Sequence, residues 1–243
     1  MIFDSHCHLD LMDNMTSMIE EIQQTNIGIF SVGTTPKAYI KSIELCHNIP
    51  NIKVGLGFHP QLIYSGYNDI DLFERIIPNC HYIGEIGLDY SQNYIHTKSR
   101  QLLMFERIIK ICEKQGDKTM SIHSLKSVND IIRIIEKNKY NDSNKYIFHW
   151  FTGSVYQLKR LISLNCFFSI NPRMLKTKTG NEILKNIPID RLLLETDSPF
   201  TKKYTSICDL KKELDDTTKA LSTMLSRNIY VSLNTTQNNI FKY

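Results

Sequence analysis

The sequence predicts an α/β fold, a (β/α)8 TIM barrel in a single domain, on three observations. Short apolar runs alternate about eight times with longer amphipathic stretches, the pattern of parallel strands joined by crossover helices. The 243 residues are enough for one such barrel, and barrels commonly reach about 250 residues as one domain. Residues able to bind a metal recur at the C-terminal ends of the short runs, the rim where barrel enzymes place their active sites. A doubly wound open sheet is the alternative that the same alternation allows.

In chain order, Ile2–His6 reads as the first strand, and Asn14–Thr25 as a helix with Met15, Met18, Ile19 and Ile22 at helical spacing. Gly28–Val32 is a second strand, and Pro36 suits the first turn of a helix running to about Asn48. Lys53–Phe58 is a third strand, stopped by His59-Pro60; a loop rich in Gly, Tyr and Asn leads to a helix at Asp69–Ile77. His81–Ile86 is the fourth strand. Lys98–Gln115 is the longest helical pattern, with Leu102, Phe105, Ile109 and Cys112 on one face and Gly116 as its stop. Lys118–Ile122 is a fifth strand and Val128–Lys137 a helix. After a polar turn at Tyr140–Lys145 come strand six (Tyr146–Phe148), a helix (Ser154–Leu164) and strand seven (Cys166–Ile170). A helix near Gly180–Lys185 and strand eight, Arg191–Leu194, complete the set. The tail from about Ser206 is polar and helical, then Asn-rich at Asn234–Asn239, and reads as a covering helix of one domain spanning 1–243.

Composition narrows the setting. A net charge of +4 permits nucleic acid as a partner without arguing for it, because a basic footprint must be local to mean much. Six scattered cysteines with no Cys-x-x-Cys pair fit neither a zinc knuckle nor a disulfide framework, so most are expected to be reduced, buried thiols of a cytoplasmic protein. The N-terminus lacks a basic region followed by an apolar run, so no signal peptide is expected. No apolar run approaches the ~18 residues that span a membrane.

The chemistry starts at His6 and His8, which sit two apart after an apolar start and so project from one strand face towards one point, as a metal requires. His59 ends the third strand, Glu85 lies in Gly84-Glu85-Ile86-Gly87, His123 ends the fifth, His149 the sixth and Asp197 the eighth. Glu85 alone would pass for a helix cap and Asp197 alone for a turn residue before Pro199. Their recurrence on five strands marks a metal site. Four imidazoles (His6, His8, His123, His149) and two carboxylates (Glu85, Asp197) exceed the three or four ligands of one metal. Two divalent cations sharing Glu85 fit better, with Asp197 closing one site and serving as general base. Imidazole with carboxylate suits Zn, Mn, Fe or Co, and loosely Mg. His59 is better placed for a phosphate oxygen, and Tyr90 and Trp150 would border the substrate.

Six separated motifs carry a family resemblance. Asp4-Ser5-His6-Cys7-His8-Leu9, Gly55-Leu56-Gly57-Phe58-His59-Pro60, Gly84-Glu85-Ile86-Gly87-Leu88-Asp89-Tyr90, Ile122-His123, Phe148-His149-Trp150-Phe151-Thr152-Gly153 and Leu194-Glu195-Thr196-Asp197-Ser198-Pro199-Phe200 together closely resemble the TatD-like metal-dependent deoxyribonucleases of the amidohydrolase superfamily, over about residues 2–200. The resemblance implies that His6, His8, Glu85 and Asp197 hold one metal and Glu85, His123 and His149 the other. It implies hydrolysis of phosphodiester bonds, typically exonucleolytic, on DNA that is single-stranded or frayed at its ends. Two departures bear on substrate choice. Family members often follow the fifth-strand His with Ser-Arg, where this chain has Ser124-Leu125-Lys126, and the usual Arg-x-x-Pro after the last strand is not clear in Thr201–Asp209. Arg173, Lys202 and Lys203 would supply positive charge instead. Phe148–Ser154 and Phe168–Met174 also look like the TatD-like component (QatD) of Qat anti-phage operons, which implies QueC-like and ATPase partners. The competing readings are an amidohydrolase or lactonase acting on a small molecule, and a non-catalytic binding subunit.

Overall fold

The computed structural model describes residues 1–65 and 68–241. Eight strands run parallel in sequence order: β1 (Ile2–Cys7), β2 (Ile27–Val32), β3 (Ile52–Phe58), β4 (Tyr82–Asp89), β5 (Thr119–Leu125), β6 (Lys145–His149), β7 (Phe167–Ile170) and β8 (Leu192–Leu194). Backbone bonds from Asp197 N–H to His6 O (2.9 Å) and from His8 N–H to Ser198 O (2.8 Å) join the chain after β8 to β1. The sheet is thus a nearly closed TIM barrel, as predicted. The loop expected before the third helix contains Gly66 and Tyr67, which lie outside the described residues.

Among the described residues, seven helices alternate with the strands: α1 (Met15–Gln24), α2 (Pro36–Cys46), α3 (Ile70–Ile76), α4 (Lys98–Gln115), α5 (Val128–Asn138), α6 (Val155–Ser163) and α7 (Lys178–Asn186). Their starts follow local chemistry. Thr35 caps α2 by accepting from Ala38 N–H, with Pro36 in the first turn, and Ser154 with Gln157 forms a capping box on α6. Helix α7 begins two residues earlier than the sequence suggests, because the Thr177 side chain caps it through Gly180 N–H.

The tail is two helices rather than one: α8 (Ile207–Met224) and α9 (Tyr230–Phe241). The Asn-rich stretch is helical because Leu233, Thr236, Gln237, Ile240 and Phe241 fall on one buried stripe. At the N-terminal end of the barrel the Phe241 ring stacks on Phe3 at 4.0 Å, with Phe30, Tyr82, Ile147 and Leu193 in the same cluster. At the other end β2, β3 and β4 approach backbone to backbone. A Cβ on Gly57 would lie 1.8 Å from Gly33 O, so only glycine fits there. No helix among the described residues is long and apolar enough to cross a membrane.

Candidate active site

The strands end at different heights from those the sequence suggests, which decides where the functional side chains stand. β4 continues to Asp89 and β5 to Leu125, so Glu85 stands in the middle of its strand and His123 lies within its strand rather than just past it. His6 lies inside β1, His8 just beyond it, and His149 closes β6. Asp197 follows β8 with a positive φ of 51°. It is held there by Asp4, which accepts from Thr196 N–H (3.0 Å) and Thr196 Oγ1 (2.6 Å) as well as from His6 N–H (3.2 Å). One buried carboxylate therefore fixes His6 and the Asp197 loop relative to each other.

The five other predicted ligands and His59 gather around Glu85, whose two oxygens face different partners. Glu85 Oε2 lies 3.5 Å from His6 Nε2 and 3.2 Å from His8 Nε2. Asp197 Oδ1 closes that group at 3.6 and 3.8 Å from the same nitrogens. Glu85 Oε1 lies 2.7 Å from His123 Nδ1, 2.9 Å from His149 Nε2 and 3.4 Å from His59 Nε2. His6 and His149 rings stack at 3.9 Å across the two groups.

The donor set suits divalent metal. His6 Nε2 and His8 Nε2 are 3.3 Å apart, and His123 Nδ1 and His149 Nε2 are also 3.3 Å apart. Tetrahedral ligands 2.0–2.1 Å from a zinc ion stand roughly 3.3–3.4 Å from one another. The trios His6–His8–Glu85 and His59–Glu85–His123 each bring three ligand atoms close enough for one ion. The second trio contains His59, which the sequence pattern assigns to phosphate.

Behind these groups stands a layer of supporting residues that the sequence pattern does not single out. Ser121 Oγ contacts His6 Nδ1 at 2.7 Å. Asp89 Oδ2 lies 3.1 Å from His123 Nε2 and accepts from Gln61 Nε2 at 2.7 Å, which turns the other ring nitrogen of His123 towards Glu85. Glu195 accepts from Trp150 N–H (3.0 Å), Asn171 Nδ2 (2.9 Å) and the Ser169 hydroxyl, and lies 3.9 Å from His149 Nδ1. Asp89 had a readable signal: it lies two and four residues beyond Gly87 and Glu85, at the period that shares a strand face.

Electrostatics follow from burial and from these contacts. Burial alone would raise Glu85, but the surrounding His59, His149 and His6 hold it well below the usual carboxylate range. Burial pulls His6 well down, and His149 adds to this. Burial would also lower His123, but its bonds to Asp89 and Glu85 push it up to about 9. Asp197 is raised by burial against the opposing pull of His149 and His8. Glu195 is raised well above the usual range by burial and then by Asp197.

The cluster forms the floor of a cleft of about 320 Å³, whose walls include His59, Gln61, Leu125, Trp150 and Phe200. Three predicted substrate residues stand elsewhere. Tyr90 does not line the cleft: its hydroxyl donates to Asp130 at 2.9 Å and Lys98 Nζ sits 4.4 Å over its ring. Lys202 pairs with Glu213 at 3.7 Å, away from the cleft. Arg173 packs its guanidinium 5.6 Å over the Trp150 ring and donates to Thr201 O. Lys203 points to Asp13 at 3.3 Å.

Comparison with known proteins gives a consistent result. The profile of a family described as TatD related DNase matches residues 3–242. A protein of Buchnera aphidicola named an uncharacterized metal-dependent hydrolase is 28% identical over 210 residues, covering 82% of this chain and 78% of its own. The deoxyribonuclease Tat-D of Schizosaccharomyces pombe is 32% identical over 117 residues, covering 48% of this chain and 37% of its own. The crystal structure of the TatD homolog YjjV from Escherichia coli superposes with a TM-score of 0.83 at 18% identity, over 100% of this chain and 98% of that one.

Proposed function

The chain belongs to the TatD family of metal-dependent hydrolases, and from that premise we propose that it is a two-metal deoxyribonuclease acting from the ends of single-stranded or frayed DNA. The observation that carries this reading is the split of Glu85, with Oε2 among His6, His8 and Asp197 and Oε1 among His59, His123 and His149. A carboxylate so placed could join two cations, which His6, His8 and Asp197 on one side and His123 and His149 on the other would hold.

When bound, a pair of divalent cations activates water near neutral pH and neutralises charge on the phosphoryl oxygens. The chain's own residues do the rest. Asp197, at the cleft floor, takes the proton of the attacking water. His59 accepts from Gln61 N–H through Nδ1, which leaves Nε2–H to donate to a phosphoryl oxygen. A buried ligand cluster beneath a small cleft favours a strand end over continuous duplex, because only an unpaired terminus can descend to it. Glu85 on β4 also argues against the lactonase reading, whose barrels often carry a carboxylated lysine there.

The test is a panel of end-labelled single strands, duplexes and RNA, assayed on metal-free protein and after adding Mn²⁺ or Zn²⁺. Stepwise release of mononucleotides that depends on added metal is expected. Turnover of esters or lactones with every nucleic acid intact would overturn the reading. A defence role beside QueC-like and ATPase proteins is the narrowest part of the proposal. It is supported by the wording of Phe148–Ser154 and Phe168–Met174, and is tested by whether Asp197→Asn abolishes phage resistance conferred by the intact operon.

A further inference from the structure

The cleft has two tiers of different chemistry. Its floor is the imidazole and carboxylate cluster, and its walls carry the apolar Leu125, Trp150 and Phe200 beside the neutral polar Gln61, Ser124 and Thr152. Among the described residues no Lys or Arg lines it. A site made for a run of phosphates carries cationic side chains along the backbone path. A cation beside its wall, Arg173, packs its guanidinium on the Trp150 ring instead of lining the cleft. At about 320 Å³ the cleft is also at the small end of the ~300–1,000 Å³ range for pockets that enclose a drug-sized ligand.

The apolar tier is built rather than incidental. Phe200 is 58% exposed at the rim, and its ring meets the His8 ring edge-on at 5.1 Å. The backbone at Trp150 is anchored by its amide N–H, which donates to Glu195 at 3.0 Å. Arg173 links the two: its guanidinium packs on the Trp150 ring, and the same group donates to Thr201 O at 2.5 Å, one residue beyond Phe200. The spacing of the two aromatic residues is thus set by a side chain that touches both segments.

Resting on the nuclease reading above, we propose that Trp150 and Phe200 form a stacking site for a single nucleobase, held at fixed spacing by Arg173. The substrate class is then a strand terminus read as one flat base next to one phosphodiester. Sequence preference is weak, since every base offers a π-face. Arg173 is a positioning residue, while Trp150 and Phe200 touch the substrate.

The experiment compares kcat/KM for two Mn²⁺-supplemented single-stranded oligonucleotides that differ only in the terminal residue, a normal nucleotide or a tetrahydrofuran abasic analogue, at each end in turn. Wild-type protein should prefer the base-bearing end by roughly 5–150-fold, the range for base–aromatic stacking. Phe200→Ala, at an exposed position that does not threaten folding, should bring that ratio close to one. Trp150→Ala should do the same, while Trp150→Phe and Phe200→Tyr keep most of it. Arg173→Ala should give an intermediate ratio. Equal rates on the two ends by wild-type protein would overturn the stacking site and leave the nuclease reading standing. Hydrolysis of neither oligonucleotide would overturn both.

Discussion

The two ends of the barrel are built on opposite rules. At the N-terminal end, Phe241, Phe3, Phe30 and Tyr82 close the interior with aromatic rings, and the charged groups Lys118 and Glu113 buried nearby are hydrogen-bonded, with Gln237 Oε1 a buried acceptor left over. Lys118 Nζ donates to Ile77 O and Cys80 O. Glu113 accepts from Tyr140 N–H, Asn141 N–H, Asn144 Nδ2 and the Tyr146 hydroxyl. At the C-terminal end, four imidazoles and two carboxylates crowd one another, and the buried His8 Nδ1, His149 Nδ1, Ser5 Oγ and both Asp10 oxygens have no hydrogen-bond partner within the described chain. Burying polar groups in this way works against folding. One end therefore serves stability and the other chemistry, and the two should respond separately to substitution.

The largest expected effect is at the chemical end. Asp197→Asn keeps the shape and one coordinating oxygen but cannot accept a proton near neutral pH. Turnover should fall about 10²–10⁴-fold, and the loss should persist at saturating Mn²⁺ or Zn²⁺, with thermal stability unchanged or higher. His149→Ala should instead be partly rescued by excess metal. Near-wild-type turnover of Asp197→Asn at high metal would leave Asp197 as a ligand only.

The opposite end should show the reverse. Phe241→Ala removes the ring stacked on Phe3 and should cost about 3–5 kcal/mol of folding stability, as large-to-small core changes do. Urea denaturation reads that loss. Metal content and turnover per folded molecule should stay at the wild-type level; a parallel fall in turnover would show that the ends are coupled and break the comparison.

A smaller effect sharpens the boundary between the two regions. Asp89→Asn leaves the barrel intact but weakens the hold on His123. Metal affinity or activity should drop 10–100-fold, the usual result of losing such a support. An unchanged metal titration would mean that the strand alone orients the ring.

Much of this was readable in the sequence because it depends on pattern. Parallel strands buried on both faces appear as apolar runs, and the eight predicted runs correspond to β1–β8 in order. An imidazole at the end of one apolar run is commonplace. His6, His8, His123 and His149 were legible because four of them share the same end of three strands. What the sequence hid depends on three-dimensional neighbours. Tyr90 sits in the same motif as Glu85, yet its hydroxyl turns to Asp130 on α5. Ser121 and Glu195 are ordinary polar residues until the barrel brings them beside His6 and near His149. The tail reads in sequence as one covering helix; it is two, and the buried stripe of the second carries Phe241 onto Phe3 at the N-terminal end of the barrel.

The central claim is that Glu85 stands between two cations. Calorimetric titration of metal-free protein with Zn²⁺ or Mn²⁺, run side by side for wild type and Glu85→Gln, tests it most directly. Two equivalents per chain are expected for wild type, with both weakened and turnover lost in the variant, because the substitution removes the negative charge shared by the pair. Two full equivalents at wild-type affinity in Glu85→Gln, or a single equivalent in the wild type, would contradict it.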